Sequence, residues 1–343
     1  MIVRFFFVLL FVVGSTFLLV KENILTRRVL ILHSYNFDYE WTRDVDIGIK
    51  RILDKDHTIC ARWHYMDTKT HPETPYKEKI ASVSRRIVDQ FKPSVIIAVD
   101  DDAQEYVAKY YINHPDIKII FAGVTGTREQ YGFDKANNVT GILERAPVEG
   151  VVNTLQVLNR SKKTIKIVHI GDCSKSVRQA DNFFHSHSGW QNIKIQPSMF
   201  VSTFDEWKKA IIKGGEIADY IIISNYRQIY KNKIGYEKIS PKEVMQWTIA
   251  NAKIPIIGTN LFVFEDGANL AIATSPYEQG EVAATFALKA INEGILLPYT
   301  QTKQFVVGLD EGSTLPGKQF EHLPKVYAGY SLYLGTFREH KSF

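Results

Sequence analysis

Short apolar runs alternate with segments of helical period from Arg28 onward. In the first half, the apolar runs predict strands at Val29–His33, Ile59–Tyr65, Ser94–Val99 and Ile117–Ala122. The intervening segments predict helices at Trp41–Leu53, Pro75–Phe91 and Ala103–Asn113. Such alternation with short connections is typical of a parallel sheet covered by helices on both faces.

The pattern pauses between Gly123 and Gly141, a stretch rich in Gly, Asn and Thr that we interpret as a passage between two lobes. A second series then predicts helices at Val148–Leu158, Ser174–His187, Phe204–Lys213 and Pro241–Ala252, and strands at Thr164–Ile170, Ile193–Gln196, Tyr220–Ser224 and Pro255–Gly258. A further strand at Leu270–Thr274 and a helix at Tyr277–Glu293, ended by Gly294, complete it. The two halves therefore repeat one architecture, without obvious repetition of sequence.

The N-terminus carries an apolar run, Phe5 to Val20, which follows Arg4 and is interrupted only by Gly14, Ser15 and Thr16. The run is longer than many signal-peptide cores and slightly short for a membrane span. We therefore predict that residues 1–26 are either a cleaved signal peptide or an uncleaved membrane anchor. Either way the rest of the chain is predicted to be periplasmic or extracytoplasmic, secreted or tethered to the inner membrane.

Composition and charge narrow the function further. A chain of 343 residues suggests two domains of roughly 100 to 150 residues each. The net charge is +5, but the basic residues are mixed with 37 acidic ones and form no stripe, so no nucleic-acid partner is expected. The two cysteines, Cys60 and Cys173, are too few for a disulfide framework, and we expect buried free thiols.

Polar and aromatic residues follow the predicted strands, where open parallel sheets bind their ligands. They are Ser34, Tyr35, Asn36, Asp38, Tyr39 and Trp41; Asp100, Asp101 and Asp102; Thr125; Glu144; Asp172; Ser224, Asn225 and Tyr226; Thr259 and Asn260; Glu265 and Asp266. Carboxylates can hold an amine, hydroxyls a carboxylate, and rings an apolar body. Two alternatives stay open: Asp100 as a helix N-cap, and Tyr35 and Trp41 as core rings.

The known catalytic signatures are missing. The sequence has no phosphate-binding loop, dinucleotide fingerprint, nucleophile elbow or H-E-x-x-H motif. His185 and His187 lack a third ligand, so no metal is predicted. We therefore expect neither an enzyme nor a cofactor.

Several stretches together resemble one family. They are "VLILHSYNFDYEWTRDVDIGI" (Val29 to Ile49), "MDTKT" (Met66 to Thr70), "FKPSVIIAVDDDAQEYV" (Phe91 to Val107), "FAGVTG" (Phe121 to Gly126), "NNVTGILE" (Asn137 to Glu144) and "SPYEQGEVAATFALKAINEG" (Ser275 to Gly294). In this order they resemble the ABC transporter substrate-binding family, which has the type I periplasmic binding protein fold. The likeness runs from Arg28 to Gly294.

The resemblance implies an α/β fold of two Rossmann-like lobes with parallel sheets, joined by three hinge crossings. We expect lobe 1 to comprise residues 27–124 plus 268–298, and lobe 2 residues 125–267 plus 299–312, with the final crossing near Pro298 to Val307. The late return of the chain would place Leu270 to Gly294 beside Val29 to Ala122. The tail, 313–343, lies outside the likeness.

The implied function is capture of a small polar ligand, an amino acid or amine-like metabolite, in an interlobe cleft by hinge closure. An ABC importer, through its permease, would receive the ligand. By position, the ligand-facing residues are Ser34, Tyr35, Asn36, Asp100, Asp101, Thr125, Glu144, Asp172, Asn225, Tyr226 and Glu265. Within "SYNFDYEW", we expect Tyr35 to contact the ligand, and Phe37, Tyr39 and Trp41 to support the following helix.

One alternative is a sensor. The "LHSY...WT...GI" opening and "MDTK" are similar to the external sensing part of membrane signalling proteins. The chain has no room for a kinase or cyclase domain, so any signal would pass through a separate membrane sensor kinase or cyclase. A third hypothesis, an enzyme that uses the same cleft, predicts turnover of the bound compound.

Overall fold

The computed structural model describes residues 11–15, 27–159, 163–234, 237–309, 314–315 and 318–319. The predicted targeting segment lies outside these residues, except for 11–15, which are helical. The predicted tail also lies outside them, except for two short paired strands, β13 (Thr314–Leu315) and β14 (Lys318–Gln319). Within the part of the chain that is described, no helix has the length and apolar character needed to cross a membrane.

The chain divides into two units. Among the described residues, the first runs to Leu143 and resumes over Pro276–Thr300, and the second comprises Glu144–Ser275 and those from Gln301 onward. The described chain thus passes between units three times, as the family resemblance implies. The last passage, after Thr300, falls within the predicted segment.

The first unit is a six-stranded sheet in the order β11-β5-β4-β3-β1-β2. Its strands are β1 (Arg27–His33), β2 (Ile59–Tyr65), β3 (Val95–Val99), β4 (Lys118–Val124), β5 (Val139–Leu143) and β11 (Thr300–Gln301). Its helices are α1 (Glu40–Leu53), α2 (Thr74–Phe91), α3 (Asp101–Tyr106) and α9 (Pro276–Asn292). The strands from β1 to β5 pair in parallel, and apolar clusters cover both faces of the sheet.

The second unit repeats the arrangement with the order β12-β10-β9-β8-β6-β7. Its strands are β6 (Ile165–Asp172), β7 (Ile193–Val201), β8 (Tyr220–Ile223), β9 (Ile256–Gly258), β10 (Leu270–Thr274) and β12 (Phe305–Leu309). Its helices are α4 (Val148–Leu158), α5 (Lys175–Ser186), α6 (Phe204–Ile217), α7 (Pro241–Asn251) and α8 (Leu261–Glu265). Only β12 runs antiparallel among the described strands of this sheet, and two apolar clusters cover its faces.

Two boundaries differ from the sequence-based prediction. Residues 125–143 belong to the first unit, because β5 pairs with β4 inside the stretch that we interpreted as a passage. A Cβ at Gly141 would lie 2.0 Å from the carbonyl oxygen of Phe121, so this strand needs the glycine that suggested a loop. Conversely, β10 belongs to the second unit, where it pairs with β9 and β12. Of the late segment, only α9 packs in the first unit.

Two smaller expectations were also wrong. The helix predicted to reach Asn113 ends at Tyr106, because Val107 leaves the helical region (φ −132°, ψ −62°) and a 3-10 turn follows. Cys60 and Cys173 are free but exposed. Cys60 lies on the edge strand β2, whose alternate side chains point away from the core.

Candidate functional site

Ser34 forms hydrogen bonds within the protein at the carboxyl edge of the first sheet. It follows β1, is fully buried, and donates its hydroxyl to the carbonyl oxygen of Val99 (2.8 Å). The same hydroxyl accepts the N–H of Ala103 (2.7 Å), in the first turn of α3. Ser34 therefore connects β1, β3 and α3, and its hydroxyl both donates and accepts a hydrogen bond within the protein.

Asp100 has an unusual backbone conformation. It follows β3 with φ 66° and ψ 167°, a region that is essentially limited to glycine and that costs about 1–3 kcal/mol for other residues. It precedes α3, but its side chain makes no capping hydrogen bond. Instead Oδ1 accepts the indole N–H of Trp41 (2.9 Å), and the Asp100 carbonyl oxygen accepts the side-chain amide of Gln104 (3.1 Å). The carboxylate is thus held in one orientation at a strained position.

Gly123 allows the Asp100 carboxylate to take this place. It lies at the end of β4 with φ +62°, and a Cβ there would come within 2.7 Å of Asp100 Oδ1. Its N–H donates to Oε1 of Gln279, a fully buried residue of α9 (2.8 Å). This hydrogen bond therefore connects the end of β4 to α9, a contact that the sequence pattern did not predict.

Asp101 organises the loop after β4. Its Oδ2 accepts the hydroxyl (2.5 Å) and the N–H (3.3 Å) of Thr125. Its Oδ1 accepts the N–H of Gly126 (3.1 Å) and the hydroxyl of Tyr131 (2.5 Å). Burial and the neighbouring Asp101 raise the pKa of Tyr131 well above its ordinary value, so the phenol stays a donor. The structure thus brings the predicted site residues Asp101 and Thr125 together.

Tyr35 and Asn36 extend this edge. The Tyr35 ring is half-buried, meets Tyr39 edge-on at 5.3 Å, and lies 4.9 Å from the Lys69 ammonium. Burial, followed by the charge of Asp100, raises the pKa of Tyr35. The Asn36 amide approaches the hydroxyl of Thr70 (3.4 Å). The first unit therefore places six predicted residues at one edge: Ser34, Tyr35, Asn36, Asp100, Asp101 and Thr125.

In the second unit, Asp172 and Asn225 meet at the ends of β6 and β8. The N–H of Asp172 donates to the carbonyl oxygen of Asn225 (2.9 Å). The buried Asp172 carboxylate accepts the N–H groups of Ser174 (2.9 Å) and Gln228 (3.0 Å). These contacts hold two strand-end loops side by side.

The structure does not bring the other predicted residues of this unit to the same place. The Tyr226 ring packs in the core against Trp207 and Phe262, and its hydroxyl donates to Asp266 (2.6 Å). Glu265 is exposed at the end of α8. Glu144 is half-buried where the second unit begins. No group of three or more metal-ligating side chains occurs in the described ranges.

The sequence of the chain matches the family model described as ABC transporter substrate binding protein over residues 48–305, which is more than half of its length. The chain belongs to the ABC transporter substrate-binding protein family. Proteins of this family are extracytoplasmic, bind a small molecule and work with an ABC transporter permease. Comparison with curated proteins gave no match.

Solved structures agree with this family fold. A substrate-binding protein with adhesive properties from Clostridium difficile, in its ligand-free, open form, is 15% identical with a TM-score of 0.62, over 83% of this chain and 92% of that one. An ABC domain from Streptococcus pneumonia in complex with L-Trp is 11% identical (TM-score 0.55; 83% and 92% covered). A periplasmic solute-binding protein from Actinobacillus succinogenes with bound D-allose is 14% identical (TM-score 0.55; 82% and 96% covered). At these identities the likeness concerns the fold.

Proposed function

We propose that this substrate-binding protein captures an amino acid or amine-like metabolite between its two units by hinge closure and delivers it to an ABC importer. The ligand would lie against the carboxyl ends of the strands in each unit, where open parallel sheets bind small molecules. Its differential affinity for the closed state would shift the equilibrium toward closure.

The observation that carries the ligand class is the conformation of Asp100. A residue other than glycine in this backbone region persists only when its surroundings hold it there, and such strain clusters at binding sites. Trp41 fixes the carboxylate on one side, and Gly123 leaves room for it on another. An oriented, largely desolvated carboxylate suits a ligand ammonium group, because hydrogen bonds between charged partners are the strong ones.

The neighbouring groups support an amine with an apolar or aromatic part. Asp101 and Asp102 follow Asp100, and contacts within the protein already engage both carboxylates: those of Asp101 with the Thr125 loop, and that of Asp102 with the ammonium of Lys77 (2.8 Å). Tyr35 offers a half-buried ring next to them. A ring can cover the apolar body of a ligand while a carboxylate holds its amine.

Isothermal titration with four compounds tests the proposal. L-tryptophan and tryptamine carry an aliphatic amine, indole-3-propionate has the same indole ring with a carboxylate and no aliphatic amine, and D-allose represents sugars. Asp100→Asn should weaken binding of the amines by roughly 10- to 100-fold, the value of one charged hydrogen bond. Asp102→Asn is the matched control: it removes the same charge from a residue paired with Lys77 and should change affinity little. Heat from D-allose alone would refute the ligand class.

A further inference from the structure

A hydrogen-bonded chain of three side chains lies behind the carboxyl edge of the second sheet. His169, in the middle of β6, is almost fully buried. Its Nδ1 lies 2.9 Å from Oδ1 of Asp181 on α5, and its Nε2 lies 2.8 Å from Oγ of Ser224, which follows β8. The rings of Phe184 and Phe200 meet the imidazole edge-on at 5.0 and 5.7 Å and fix its plane.

The charge states of His169 and Asp181 follow from their surroundings. Burial lowers the pKa of His169, so the imidazole is neutral at neutral pH. Burial alone would raise the pKa of Asp181, but hydrogen bonds from His169 and Ser198 outweigh it and lower that pKa. His185 is a further titratable group beside Asp181, and its Nε2 lies 3.7 Å from the same oxygen. A neutral imidazole therefore faces a carboxylate.

That pairing determines where the protons lie. A carboxylate only accepts hydrogen bonds, so the imidazole proton must be on Nδ1. A neutral imidazole has one donor and one acceptor, so Nε2 accepts, and the Ser224 hydroxyl must donate to it. Only 3% of Ser224 is exposed, so bulk water does not compete for this proton.

The position of this proton determines which further hydrogen bonds the Ser224 hydroxyl can make. With its proton directed at His169, the hydroxyl can offer only lone pairs to any further partner. Ser224 lies at the edge where Asp172 and Asn225 meet, and its carbonyl oxygen is held by the side-chain amide of Asn260 (2.7 Å). These contacts therefore fix the Ser224 hydroxyl as a hydrogen-bond acceptor at the end of β8.

We propose that Ser224 is a specificity-determining residue, which Asp181 and His169 hold as a hydrogen-bond acceptor for a ligand N–H group. This inference rests on the proposed function and extends it to the second unit. Ligands that present N–H at this point are favoured over ligands that present only carboxylate or carbonyl oxygen, because two acceptors cannot share a hydrogen bond.

The first test is Ser224→Ala, with tryptamine and indole-3-propionate as probes. We expect tryptamine affinity to fall roughly tenfold, the value of one hydrogen bond, with little change for indole-3-propionate. Equal binding of tryptamine by the Ser224→Ala and wild-type proteins overturns the role of Ser224 and leaves the proposed function standing. Failure of tryptamine and of L-tryptophan, the two amines of the titration above, to bind the wild-type protein refutes the proposed function itself.

The second test changes the proton position without touching Ser224. In Asp181→Asn, an amide N–H placed at Nδ1 moves the imidazole proton to Nε2, which turns the Ser224 hydroxyl outward as a donor. Imidazole ¹⁵N shifts report the tautomer of His169. Once the imidazole proton is on Nε2, the preference for tryptamine over indole-3-propionate should decrease. An unchanged preference in a variant whose ¹⁵N shifts show that the proton has moved contradicts the proposal. Ser198→Ala is the control, because it removes the other hydrogen bond to Asp181 and leaves a carboxylate facing Nδ1.

The same three groups, in this order of hydrogen bonds, activate serine nucleophiles in hydrolases. A positioning role and a nucleophilic role are separated by incubation with phenylmethylsulfonyl fluoride followed by mass analysis of the intact protein. We expect no adduct: with 3% of Ser224 exposed, a single ligand N–H can approach the oxygen, but the bulky aromatic sulfonyl group cannot. A sulfonyl adduct on Ser224 would overturn the positioning role.

Discussion

The close crossing of α1 and α9 makes Gly280→Ala a sharp test of the first unit. A Cβ at Gly280 would lie 2.1 Å from the carbonyl oxygen of Val45 and 3.0 Å from Cα of Gly48. Because no side chain can move aside, the two helix backbones must separate by about 1 Å. Overpacking of this kind costs about 1–3 kcal/mol, which lowers the melting temperature by about 3 to 10 °C.

Gly215→Ala is the matched control, since Gly215 also lies within a helix, α6. Its nearest atom would be Cβ of Lys253 at 3.7 Å, an ordinary contact. The change should stabilise the second unit by up to about 1 kcal/mol through helix propensity. Thermal unfolding with hydrogen exchange on α1 and α9 measures both effects. A Gly280→Ala protein as stable as wild type, with unchanged exchange in α1 and α9, would refute the packing argument.

Three further predictions concern the edge of the first sheet and Glu206, which together with Thr203 caps the N-terminus of α6. Asp100→Gly should lose amine binding by titration yet unfold at about the wild-type temperature, because relief of about 1–3 kcal/mol of backbone strain offsets the lost Trp41 hydrogen bond. Tyr35→Ala should reduce ligand affinity far more than melting temperature, whereas Tyr35→Phe, which keeps the ring, should retain most of the affinity. If Tyr35→Ala lowers the melting temperature more than the affinity, the ring is part of the core and not a ligand contact. Lys233 and backbone N–H groups lower the pKa of Glu206 to about 2. Its contribution to stability is therefore present above about pH 4.5 and lost as the pH falls toward 2, and urea unfolding of Glu206→Gln should lack this part of the pH dependence.

Local sequence pattern predicts most of the secondary structure, because apolar runs and helical period are local properties. The predicted strand at Leu270–Thr274 is confirmed, whereas its place in the second sheet was missed, since pairing with β9 and β12 depends on where the chain crosses between units. Likewise β5 was hidden by Gly141, which is needed for close approach to Phe121 rather than for a turn.

The candidate site was less predictable than the fold. Strand-end position identifies Asp100 and Asp101, but nothing in the local sequence indicates that Asp100 adopts a glycine-like conformation. Tyr226, like Tyr35, comes shortly after a strand, yet its ring is part of the core because it packs against Trp207 and Phe262. The partners of Ser224 and Gly123 come from distant segments, so only the folded chain brings them together.

Mapping of amide chemical shifts on titration with tryptamine tests the central claim most directly, because it reports where an amine binds. We predict that the shifts concentrate at the strand ends of both units, in residues 34–36, 100–102 and 123–126 and in residues 172 and 224–226. Shifts confined to other surfaces, such as the edge strands β2 and β7, or saturation that leaves the strand ends unchanged, would contradict the account.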